Sequence, residues 1–113
     1  MLATRGAMLA ILLAGCSPVS EVVRLDPTPR PQRLPADVQI LGSDPRQPYR
    51  EIALVEVSGG ALPSLNTLTR ALREEGARLG GDAVIIMGRY EGKSKGSGLL
   101  ARVIVFESSP SPR

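Results

Sequence analysis

Cys16 is the only thiol in the chain, and it ends the run Leu13-Ala14-Gly15-Cys16 directly after the apolar stretch from Ala7 to Ala14. A thiol can be a nucleophile, a metal ligand or half of a disulfide. With no second cysteine the chain can form no internal disulfide, and a structural zinc site has neither thiols nor imidazoles to draw on. Histidine is absent altogether, which removes the commonest general base. Carboxylates are left for acid–base work. Glu51 and Glu56 stand five apart on one strand-like segment, which sends them to opposite faces and prevents convergence. Asp82 follows Gly81 at a turn, where its side chain can hold a local amide. Glu74 and Glu75 read as a solvated helix flank, and Ser64 and Thr67 have no base near them in sequence. No catalytic residue, cofactor site or metal site is therefore expected, and any metal would have to rest on Asp and Glu alone.

Four other residues are candidates for contact with a partner. Tyr49 and Tyr90 are two of only three aromatics, and each is either a strand-end packing residue or an anchor. Lys93 and Lys95 lie in Gly92-Lys93-Ser94-Lys95-Gly96-Ser97-Gly98, which lacks Walker spacing and opens no helix, so it reads as a hairpin loop and not a phosphate cradle. Its lysines either touch an acidic partner or tip a solvated loop.

The elements that must position these residues follow from periodicity. Asp37 to Leu41 alternates like a strand and is closed by Gly42-Ser43-Asp44-Pro45. Tyr49 to Val57 is apolar on both faces and reads as a central strand. Leu65, Leu68, Leu72 and Leu79 form one stripe, predicting a helix over 64–79. Either Ser64 caps it or Leu62 does, with Pro63 as the first helical residue. Gly80-Gly81 stops it, and Gly76 inside it points to close approach of helix and sheet. Asp82 to Met87 and Leu99 to Glu107 are further strands, with Phe106 in the core.

The expected fold is α+β: a small mixed sheet of about four strands, in the order β-β-α-β-β, with one helix on one face. The strands on either side of the helix should run parallel and the last should return antiparallel. One helix covers one face only. The second face should be covered by self-association, by another protein or by the folded-back residues 16–36, in that order.

Outside this domain, 37–107, the chain reads differently. Residues 16–36 carry Pro18, Pro27, Pro29, Pro31 and Pro35 among Arg24, Arg30 and Arg33, and read as an extended tether. Residues 108–113 read as a frayed tail.

The N-terminal run resembles the lipobox of bacterial lipoproteins. Arg5 matches the positive start of a secretory signal, and Ala7 to Ala14 its apolar middle. The resemblance implies removal of residues 1–15, a diacylglyceryl group on Cys16 and an acylated, palmitate-type N-terminus. Ser17 after the cysteine resembles the outer-membrane sorting pattern, which implies a domain in the periplasm. Lys plus Arg then falls from 14 to 13 against 11 acids. A nearly neutral mature chain argues against nucleic acid as a partner.

Within the domain, Tyr49-Arg50-Glu51-Ile52-Ala53-Leu54-Val55-Glu56-Val57 and Ala77-Arg78-Leu79-Gly80-Gly81-Asp82-Ala83-Val84-Ile85 are similar to segments of YbjQ-type small α/β domains and RcsF-type outer-membrane stress-sensor lipoproteins. The sensors share a lipid anchor and a proline-rich tether but hold their domain with disulfides, for which this chain has no cysteines. The resemblance implies a non-enzymatic lipoprotein that binds a partner or senses envelope state. A ring-forming architectural lipoprotein is the alternative, and a carboxylate-based envelope enzyme a lesser one.

Overall fold

Leu65–Arg78 forms the helix α1, whose buried side is Leu68, Ala71, Leu72, Gly76 and Ala77. Its start is settled by Ser64, whose Oγ accepts from the Thr67 amide at 3.0 Å. Its end is a Schellman turn: Gly80 has a φ of 81°, and the Gly80 and Gly81 amides donate to Ala77 O at 3.0 Å and Gly76 O at 2.8 Å. Gly76 is where helix and sheet touch. A Cβ there would stand 2.8 Å from Val84 Cγ2 and 3.3 Å from Val38 Cγ1.

This computed structural model describes residues 18–59, 64–92 and 96–107. The strands are β1 (Val19–Arg24), β2 (Gln39–Leu41), β3 (Tyr49–Ser58), β4 (Ala83–Gly92) and β5 (Gly96–Phe106). They make one mixed sheet in the order β1-β3-β5-β4-β2, antiparallel throughout except for β2 beside β4. The α+β class and the single helix match the sequence. β3 and β4 run the same way, with β5 returning between them.

The expected count of about four strands is one short. The fifth, β1, lies inside residues 16–36, which the sequence presents as a tether. Val19, Val22 and Val23 are β-branched and sit in a proline-free window between Pro18 and Pro27, so the segment fits a pleated edge. Val22 pairs with Val55 and Val23 with Leu54. The prolines that follow do not release the chain either. The Leu25 amide donates to Ile52 O at 2.9 Å, the Arg33 amide to Ala77 O at 2.9 Å, and Arg30 packs on Gly80. A short 3₁₀ turn, Pro35–Asp37, then leads into β2. The folded unit thus begins at Val19 and not at Asp37.

Two bulges also reset the strands. β3 skips a residue between Glu51 and Ala53, and β4 between Ile86 and Gly88. β4 runs five residues past Met87, so the link to β5 is 93–95 and not the whole of 92–98.

The helix-covered face is an apolar core. Val55 and Val57 of β3, Val84 of β4, and Leu99, Ala101 and Val103 of β5 pack with Leu68, Leu72 and Ala77. Each large aliphatic residue buried there contributes about 1.5–3 kcal/mol.

The opposite face is covered only in its lower part, the end where β3 and β4 begin. β2 and β3 lie two strands apart, so their link, residues 42–48, has to cross β4 and β5. Asp44 holds it on this face through Arg102, Nη2 to Oδ1 at 2.6 Å. In this lower part Ala83, Ile85 and Ile104 are buried, with Leu41, Tyr49 and Phe106 packed around them. The chain's own crossover supplies this cover, while the supposed tether extends the sheet edge instead.

Candidate functional site: the open face of the sheet

Alternation assigns the open face. Ile104 and Arg102 point away from the helix, so Leu100 and Gly98 on β5 do too. Their partners Glu51, Leu54, Glu56 and Ser58 on β3 follow, as do Val19, Glu21 and Val23 on β1. The bulge in β3 overturns one expectation: Glu51 and Glu56 share this face. They still form no acid–base pair. Their partners on β5, Ile104 and Leu100, are four residues apart, about 13 Å of strand, and each carboxylate is engaged by a different group.

Arg102 organises the lower half. Its Nη1 donates to Glu51 Oε2 at 2.6 Å and to Tyr49 Oη at 3.4 Å, and its Nη2 to Asp44. Glu51 first, then Asp44, holds the guanidinium in its protonated form still more firmly than usual. Its Nε is buried without a partner. Tyr49 is thus a packing residue against the lower core whose hydroxyl also meets Arg102.

Tyr90 organises the upper half. Its ring lies across Gly98, where a Cβ would come within 2.4 Å of Cζ, and its hydroxyl donates to Glu56 Oε2 at 2.5 Å. A side chain on β4 therefore reaches over β5 to β3, which only a glycine at 98 permits. The bond to Glu56, then burial, raises the Tyr90 pKa above its ordinary value. Glu21 stands directly opposite Glu56, so two like charges face each other across strands where a β-sheet ordinarily avoids them. Around this pair Val19 is 62% exposed, Val23 58% and Leu100 38%. Carboxylates in an apolar frame suit a cationic side chain on a protein surface.

Three further carboxylates, those of Asp82, Glu75 and Asp26, are held in structural contacts. Asp82 does not bond a local amide: its Oδ2 accepts from the Phe106 amide at 2.8 Å, and its Oδ1 pairs with Arg33. It thereby ties the end of β5 to the segment entering β2. Glu75 pairs with Arg78, and Ser64 and Thr67 serve the helix cap. Asp26, read only as part of the tether, meets Arg30 and Arg50, each at 3.2 Å. Its pKa is lowered, first by the Thr28 amide, then by the Thr28 hydroxyl and then by these arginines. Among the described residues no group of three acids gathers as a metal site, and no helix is long and apolar enough to cross a membrane.

Of the candidate contacts, Tyr49 and Tyr90 come to the same face but to different halves of it. Cys16, the signal segment 1–15, Lys93, Lys95 and the tail 108–113 lie outside the described residues. Glu21, Val23, Leu100 and Arg102 were not singled out by sequence, because their shared face depends on β1 and on the bulge.

No family model matches the chain, and no curated protein matches it. The fold is similar to the crystal structure of a Francisella virulence factor, FvfA, with a TM-score of 0.57 at 15% identity over 79% of this chain and 98% of that one. At that identity the likeness is one of fold.

Proposed function

We propose that this chain is a lipid-anchored, non-enzymatic protein of the bacterial cell envelope that docks a protein partner on the upper half of its open sheet face. The observation that carries the reading is the Glu21–Glu56 pair framed by exposed Val23 and Leu100. The partner matched to it presents an Arg or Lys in an apolar surround. The commitment of Glu51, Asp26 and Asp82 to arginines supports binding over catalysis. The anchor is Cys16, and the compartment the periplasmic side of the outer membrane, on the lipobox resemblance and on Ser17.

Two measurements test this. Intact mass of the membrane-extracted protein should show loss of residues 1–15 and a diacylglyceryl adduct on Cys16, and C16A should leave the membrane fraction. An unmodified Cys16 refutes the anchor. Reversing charge with E21K should weaken partner binding at least tenfold without lowering the melting temperature, and unchanged affinity refutes the docking face.

A second reading, an architectural lipoprotein that self-assembles, is favoured by the outer edge of β1, which has no neighbouring strand among the described residues. Mass measurement in detergent separates the two. A persistent monomer excludes self-assembly.

A further inference from the structure

Resting on the reading of Cys16 as the lipidated residue, we propose that the domain does not hang from the membrane but lies against it, with the end that carries Val19 and Leu65 pressed into the phospholipid surface. The argument starts from the length of chain left over. β1 begins at Val19, so only Ser17 and Pro18 separate it from Cys16. Three residue steps span at most about 10 Å even when fully extended. The sheet therefore starts within the thickness of the headgroup layer.

The register fixes which end this is. Val19 pairs with Ser58, Ser58 with Gly98, and Gly98 with Tyr90, so one row across β1, β3, β5 and β4 lies level with Val19 at the membrane-proximal end, and the β4–β5 hairpin continues past it to Gly92 and Gly96. The helix shares that end. Pro18 and Ser20 line a groove that runs along α1 from Thr67 to Glu75. Leu65, the first residue of α1, is 50% exposed, and the first helical turn carries no acid. Two apolar side chains, Val19 and Leu65, thus sit at the rim of the surface that the acyl anchor draws down.

This docking has a geometric consequence for the partner. The strands stand upright on the bilayer, and the open face points sideways, parallel to the membrane plane. A protein seated in the same leaflet can reach it.

Because lipidation consumes the only thiol, an introduced cysteine can be labelled alone. The lipidated full chain is reconstituted in phosphatidylethanolamine and phosphatidylglycerol vesicles, with a nitroxide on L65C, on V19C or, at the far end of the sheet, on Q47C. The ratio of collision with oxygen to collision with a water-soluble nickel chelate should be several-fold higher at 65 and 19 than at 47. Equal ratios at all three sites, in a chain whose mass confirms the lipid, overturn the docking and leave the anchor standing. A chain whose mass lacks the diacylglyceryl group overturns both.

Discussion

The two faces of the sheet are built by the same strands and divide their work. On the face under α1, Val55, Leu99, Val103 and Leu72 are at most 1% exposed and pack in one apolar cluster. On the other, Arg102, Tyr90, Glu51 and Glu56 stretch across strands and join side chains far apart in sequence. Burial therefore holds the first face, while directional bonds shape the second and leave part of it bare. Stability should be concentrated on one side and recognition on the other.

The largest effect should come from the covered face. L72A removes a fully buried side chain and should cost about 2–5 kcal/mol in denaturant unfolding. The lower open face should respond less. R102A leaves Glu51 and Asp44 without their cation and unpins the crossover; because these groups keep some access to water, the loss should be about 1–2 kcal/mol. Amide exchange in 42–48 should speed up at the same time. If R102A instead matched L72A, the division between the faces would fail.

Y90F keeps the ring over Gly98 and loses only the bond to Glu56, which should cost about 1 kcal/mol. It also has a pH signature. The Tyr90 pKa is raised in the folded state, so its contribution is complete below the unfolded value of about 10 and is lost as pH rises above that. The alkaline decline in melting temperature should be shallower in Y90F. Asp26 has the opposite sign: its folded pKa is lowered, so its contribution is present above the unfolded value of about 4 and falls away as pH drops below it. D26N should flatten the acid limb of the stability curve, and an unchanged acid limb would assign that limb to other carboxylates.

How far the sequence reached differs between the two faces. α1 was legible because its cap, stripe and glycine stop are local: Ser64, the leucines and Gly80 each act within one turn. Close packing at Gly76 followed from one residue without a side chain inside a helix. The open face was not legible because it depends on non-local facts. β1 hid among prolines, its three valines being the one signal available. The bulge at Glu51/Ala53 changes which face Glu51 occupies without leaving a mark in the alternation. The reach of Tyr90 over Gly98 requires knowing that β4 and β5 pair with 90 opposite 98.

The most direct test of the docking face is photo-cross-linking in the native envelope, with a benzoyl-phenylalanine placed at Leu100 on the open face or at Arg70 on the exposed side of α1. One dominant protein adduct is expected from position 100, lost when E21K is combined with it, and none of that mass from position 70. The same adduct from both positions, or an adduct at 100 indifferent to E21K, would contradict the docking face.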